Sequence, residues 1–111
     1  MIEITIDKNI IIATVTGGLD VETSDELKSI LAEKMTDKTH CILNVSKIEY
    51  MNSYGINALI NFKRDYGNVC VINNKENLLV SKVIDLIGLG KFMNVFFSVD
   101  EALEKWAGLR E

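Results

Sequence analysis

Hydrophobic and polar positions alternate from the first residues. Ile2, Ile4 and Ile6 lie on one side of a period-two pattern, as in a half-buried strand. Asp7-Lys8-Asn9 is polar and turn-like, and Ile10 to Thr16 is β-branched and reads as a second strand. The chain is therefore expected to open with a hairpin, which Gly17-Gly18 ends. Thr23 and Glu26 have the spacing of a capping box, with Thr23 as N-cap, and Leu27, Ile30 and Leu31 follow at helical spacing to about Met35. After the polar loop Thr36-Asp37-Lys38-Thr39, the short apolar run Cys41 to Val45 reads as a strand in a sheet interior.

Met51-Asn52-Ser53-Tyr54-Gly55 is rich in turn residues. Beyond it, Ile56, Leu59 and Ile60 predict a helix to about Asp65, stopped by Gly67-Asn68. Val69 to Ile72 is another buried strand. Leu79, Val80, Val83, Ile84 and Ile87 form a wide apolar stripe on a third helix, closed by Gly88 and Gly90. Val95-Phe96-Phe97 is a short strand. Ser98 to Glu101 is a second capping box, and Ala102, Leu103 and Trp106 turn the last helix inward. The order β-β-α-β-α-β-α-β-α predicts an α/β fold: a mixed sheet, mostly parallel, with an antiparallel strand at one edge and helices packed against it.

Composition narrows the function. The 111 residues fit one domain, read as continuous because there is no proline, repeat or linker-like stretch. The net charge of −4 and the lack of a basic run argue against direct nucleic-acid binding and against a polybasic membrane contact. No apolar run has the length of a membrane span, and the N-terminus lacks the layout of a signal peptide, so a cytoplasmic location is expected. Cys41 and Cys70 are expected as buried reduced thiols, with a disulfide open only to neighbouring strands. Two Cys and one His cannot supply a structural zinc site, and no metal or cofactor is expected.

Enzyme chemistry is poorly provided for. There is no Gly-x-Ser-x-Gly elbow, and neither Gly17-Gly18 nor Gly88-Leu89-Gly90 belongs to a phosphate-binding loop. The carboxylates are scattered. A hydrolase built on Ser53 would need a base, and the only histidine is His40, just before the third strand. The chain is expected not to be an enzyme.

The informative stretch is Asn44 to Ile56, where a buried strand leads through a short loop into a helix. Ser53 sits at or just before that helix start. It, or Asn52, can be a plain N-cap. Alternatively Ser53 is a phosphoacceptor: a phosphate there meets free amides and the positive end of the helix dipole, and adds roughly −1.5 to −2 charges.

An apolar strand, an aromatic-Met loop and then Asp-Ser-Ser/Thr-Gly opening an apolar helix is the pattern of bacterial anti-sigma-factor antagonists, which have the STAS fold. The chain resembles them, with Asn52-Ser53-Tyr54-Gly55 at those positions. Gly18-Leu19-Asp20 is similar to the family's Gly-Glu-Leu-Asp turn with one residue missing. Ile84-Asp85-Leu86-Ile87-Gly88-Leu89 is similar to its Leu-Asp-Leu-Thr-Gly-Leu, and Val95-Phe96 and the last helix fit as well. The resemblance extends over nearly the whole chain.

It implies a partner-switching cycle. The unmodified protein would bind an anti-sigma factor that is also a serine kinase, freeing the sigma factor. Phosphorylation of Ser53 would end the complex, and a phosphatase would reset it. Asn52 stands where the family has Asp, and Tyr54 where it has Ser or Thr. Tyr50 and Tyr54 can form an aromatic contact patch with Asp20, Asn52, Ser53 and Gly55, or Tyr54 can face the core. On the contact-patch reading, a β-branched residue at Gly55 is expected to disturb partner binding more than folding. The alternative function is a binding or scaffold subunit that keeps the fold without the switch, in a stress-signalling or lipid-transport complex.

Overall fold

A computed structural model describes residues 1–106. Five strands form one sheet in the order β1-β2-β3-β4-β5. They are β1 (Ile2–Asp7), β2 (Ile10–Leu19), β3 (His40–Met51), β4 (Val69–Ile72) and β5 (Val95–Phe96). β1 and β2 form the expected antiparallel hairpin, and all other neighbours are parallel. The helices are α1 (Val21–Lys34), α2 (Ser53–Tyr66), α3 (Leu78–Ile87) and α4 (Val99–Lys105), with a 3-10 turn at Leu89–Lys91. None of the described helices is long and apolar enough to cross a membrane.

The period of two along the strands sorts the core into two layers. Ile11, Ala13, Val15, Cys41, Leu43, Val45, Val69 and Val71 pack with Leu27 and Leu31 of α1, Leu59 and Phe62 of α2, and Val80 and Ile84 of α3. Ile42, Cys70 and Ile72 point the other way, against Ala102 and Trp106 at the α4 end. Three helices thus cover one face and α4 the other, which is why β3 and β4 read as continuous apolar runs. Each fully buried leucine, such as Leu27 or Leu31, contributes about 1.5–3 kcal/mol.

The predicted elements are all present, but several boundaries move. β2 does not stop at Gly17-Gly18. It continues to Leu19 through two register shifts, with Gly17 at φ +84°, a conformation few L residues tolerate. Because the strand runs on, α1 starts early. Its N-cap is Asp20 and not Thr23, whose amide instead donates to Asp20 Oδ1 at 3.1 Å. β3 does not end at Val45 but runs on to Met51, because Thr16–Leu19 of β2 pair with Lys47–Met51.

β4 is only four residues long and leaves the second half of β3 unpaired on that side. There the Asn77 side chain donates to the carbonyls of Ser46 (3.0 Å) and Ile48 (2.9 Å) while its own oxygen caps α3. Gly67 and Gly88 end α2 and α3 as expected. β5 is a residue shorter than expected. Ser98 caps α4, but Glu101 reaches back to the amide of Phe97 and not to that of Ser98, so the capping box is only half made.

Cys41 and Cys70 are both free and buried. Their strands are neighbours, yet Cys41 pairs with Val69 and Cys70 with Ile42, which sends the two thiols to opposite faces of the sheet. Burial pushes the Cys41 thiol up from 9.0 to about 12, and raises Cys70 as well.

Gly55 is buried where α2 begins. A Cβ there would lie 2.2 Å from the carbonyl oxygen of Leu19, a backbone atom that cannot step aside. The expectation that Gly55 matters more for binding than for folding is therefore corrected: its first role is to let strand and helix touch.

This packing has three measurable consequences. Gly55→Ala should cost about 3 kcal/mol or more, measured by denaturant unfolding; a change below about 0.5 kcal/mol would mean that the helix start can move away from Leu19. The folded protein should not react with a thiol reagent at neutral pH, and denaturant should release both thiols. Because the folded thiols titrate above their unfolded values, their stabilising effect is complete below about pH 8.5 and is lost as pH rises toward the folded values. Melting temperature should therefore fall from about pH 9 upward, and more gently in Cys41→Ala.

Candidate functional site

The end of β2, the end of β3 and the start of α2 meet at one corner. Met51 pairs with Leu19, and the amide of Asn52 donates to the Leu19 carbonyl at 3.3 Å. This places Asp20, which follows Leu19, beside the Tyr50–Gly55 segment. All six residues that the sequence nominates therefore meet at one corner: Asp20, Tyr50, Asn52, Ser53 and Tyr54 reach its surface, and Gly55 is buried beneath them.

Between Ser53 and Asn52, the structure gives the cap to Asn52. Its side-chain oxygen accepts from the Gly55 amide at 3.0 Å, and its carbonyl accepts from Ile56. Ser53 is the first residue of α2 and is exposed, with its hydroxyl outside the capping bond. The first amides of a helix have no intrahelical acceptor, so the positive end of the α2 dipole opens beside that hydroxyl. The first turn of α2 carries no acidic residue.

Two tyrosines flank the serine, and both face outward. Tyr50 is 52% exposed and its hydroxyl donates to Asp20 Oδ2 at 2.9 Å. Its ring lies directly over Gly18, where a Cβ would come within 2.0 Å of the ring. Asp20 therefore serves twice, as cap of α1 through one oxygen and as acceptor for Tyr50 through the other. The Thr23 amide first, and then the Tyr50 hydroxyl, hold its carboxyl below the usual range. Tyr54 is 45% exposed and donates to Asp25 Oδ1 at 2.8 Å, so of the two orientations open to it the surface one is found. Each tyrosine's pKa is raised, chiefly by the hydrogen bond to its carboxylate, which favours the protonated donor.

Three contributors have no role assigned from the sequence, although Gly18 and Leu19 belong to the family-like turn. Gly18 seats the Tyr50 ring, the Leu19 carbonyl anchors Asn52, and Asp25 holds Tyr54. Asp25 looked like any solvated helix carboxylate, and nothing in its local pattern marks a partner 29 residues away. His40 lies at the other end of β3, on the order of 30 Å away at about 3.3 Å per residue. Its ring meets Trp106 edge-on at 5.1 Å. It is not placed to serve Ser53 as a base.

The same architecture occurs in solved structures of low sequence identity. An anti-sigma factor antagonist from Mycobacterium paratuberculosis superposes with a TM-score of 0.81 at 18% identity, covering 100% of this chain and 94% of that one. SpoIIAA, an anti-sigma factor antagonist in its unphosphorylated form, gives 0.76 at 17% identity with full coverage of both chains. The phosphorylated form of SpoIIAA, a Bacillus cell fate determinant, gives 0.67 at 17%, covering 94% and 97%. A sulfate transporter family protein from Wolinella succinogenes gives 0.70 at 18%, covering 89% and 85%. These likenesses establish the fold. Residues 1–102, from the β1–β2 hairpin into α4, match the family model of the STAS domain, and the chain belongs to that family.

Proposed function

We propose that this protein is an anti-sigma-factor antagonist: it binds an anti-sigma factor that is also a serine kinase, and phosphorylation of Ser53 switches that binding off. The observation that carries the reading is the exposed Ser53 hydroxyl at the first position of α2, next to a cap already supplied by Asn52. A kinase could reach this hydroxyl without unfolding the helix. A phosphate would meet unpaired amides and the positive helix end, so the helix would tolerate it.

The partner would not tolerate it as well. The corner already presents the Asp20 and Asp25 carboxylates under Tyr50 and Tyr54. Adding roughly −1.5 to −2 charges converts an aromatic, mildly acidic surface into a strongly acidic one. A surface complementary to the first form repels the second. A phosphatase would restore the binding form, and sigma-factor release would follow its state. That SpoIIAA is known in both phosphorylation states, each with this fold, agrees with a switch that acts through surface charge.

A second reading, a constitutive binding or scaffold subunit, is favoured by one feature. Tyr54 fills the place of a small residue beside the acceptor, and its hydroxyl is tied to Asp25.

One experiment separates the two. Wild type, Ser53→Ala and Ser53→Glu serve as parallel baits in native lysate, with retained proteins identified by mass spectrometry. The switch predicts that wild type and Ser53→Ala retain a kinase-like anti-sigma factor and that Ser53→Glu loses at least about tenfold in retention. A carboxylate at a helix start is neutral or stabilising, so an unchanged or slightly raised melting temperature should accompany the loss. Equal retention by all three baits would make the protein a constitutive subunit.

A further inference from the structure

β1 is an edge strand, and the bonds on its inner side fix which of its backbone groups face outward. Met1 exchanges both backbone bonds with Thr16, each at 2.9 Å. Exchanging pairs alternate along an antiparallel ladder, so the next are Glu3 with Thr14, Thr5 with Ile12 and Asp7 with Ile10. The phase agrees on the far side of β2, where the Asn9 carbonyl accepts from His40 at 2.8 Å, so that Ile10, next along, faces β1. The N–H and C=O groups of Ile2, Ile4 and Ile6 therefore point away from β2, over the open edge. Among the described residues no other segment pairs with that edge.

An open edge is a template for another strand, and chains usually block it with a proline, a lysine or a bulge. β1 has none of the three. The chain contains no proline, Lys8 lies beyond the strand in the turn, and the β1–β2 register is unbroken from Ile2–Val15 to Asp7–Ile10. Ile2 and Ile4 pack onto the core, while Ile6 on the same face is left 52% exposed. The carboxylates of Glu3 and Asp7 stand on the opposite face, on either side of Thr5.

We infer that this edge binds a second copy of the chain, β1 against β1, antiparallel and centred on Ile4. Three two-fold registers match outward groups to outward groups. The one centred on Ile4 sets Ile2 against the partner's Ile6 and uses every outward group, for about six backbone bonds; those centred on Glu3 or Thr5 make about four. Charge separates them further, because like charges directly opposite destabilise a pair. Centring on Glu3 sets it against the partner's Glu3, and centring on Thr5 sets Glu3 against the partner's Asp7 twice over. Centred on Ile4, Glu3 faces the partner's Thr5 and no like charges meet. Ile6 is then covered by the partner's Ile2, and one apolar face runs across both copies. The two Ser53 corners lie at opposite ends of the joined sheet, so the pairing goes beyond the phosphorylation reading and does not rest on it.

The test is sedimentation equilibrium of the full chain, which should show monomer and dimer exchanging with a dissociation constant at or below about 100 μM. Ile6→Lys, at an exposed position, should weaken the dimer at least about tenfold without lowering the melting temperature of the monomer. Cysteines then read the register. Glu3→Cys and Thr5→Cys chains, mixed and mildly oxidised, should join by a disulfide, since residues opposite each other in a pair of this type have Cα atoms about 4.5 Å apart. Either variant alone should crosslink at least about tenfold more slowly, because its two cysteines are offset by two residues and lie about 8 Å apart. A chain still monomeric at about 500 μM, a dimer indifferent to Ile6→Lys, or one variant crosslinking to itself as fast as the mixture would overturn the inference.

Discussion

The carbonyl oxygen of Leu19 presses against the Cα of Gly55, and the geometry of the corner depends on that approach. The same oxygen accepts the Asn52 amide. One backbone atom at the end of β2 therefore holds both the residue before α2 and the third residue within it. With any side chain at position 55 the helix would have to lift away, and Asn52 could not keep both its bond to Leu19 and its cap on Gly55. A second glycine, Gly18, leaves room for the Tyr50 ring that ties β3 to Asp20; the neighbour there is an exposed side chain and not backbone, so a larger residue would displace the ring and not the helix.

The features of the site follow from this contact. β3 must run the full length to Met51 for its end to reach Leu19, and its second half lacks a β4 neighbour. Asn77 compensates by donating to the exposed carbonyls of Ser46 and Ile48, so the strand that delivers Ser53 is held on both sides. Asp20 and Asn52 cap α1 and α2 in adjacent positions. Tyr50 and Tyr54 are then anchored by carboxylates from the start of α1. A modification at Ser53 would act on a surface already built, without any need to rearrange the core.

Much of the fold was legible in the sequence because burial writes itself as periodicity. β4 was read to the residue, since a strand buried on both faces has no polar position to blur its ends. α3 was read within a residue from its apolar stripe. The second half of β3 was not legible: Ser46-Lys47 and Glu49-Tyr50 face partly outward, so only Ile48 carries the apolar signal, and two register shifts disturb the alternation. The α1 cap was misplaced because Thr23 and Glu26 have the right spacing, while the actual cap depends on where β2 ends, a tertiary fact. Resemblance to a family located the corner. It could not show that Asn52 takes the cap, that Tyr54 turns outward, or that Asp25 and Gly18 support the two rings, because each depends on pairing between segments far apart in the chain.

The central claim, that Ser53 is the acceptor on a preformed corner, is tested most directly on protein isolated from its native cells by mapping phosphate with tandem mass spectrometry of the intact chain and its peptides. The account predicts a singly phosphorylated fraction with the phosphate on Ser53, whose circular dichroism and melting match those of the unmodified fraction. Phosphate found only at another residue, or a chain unmodified under every growth condition in which its partners are present, would contradict it.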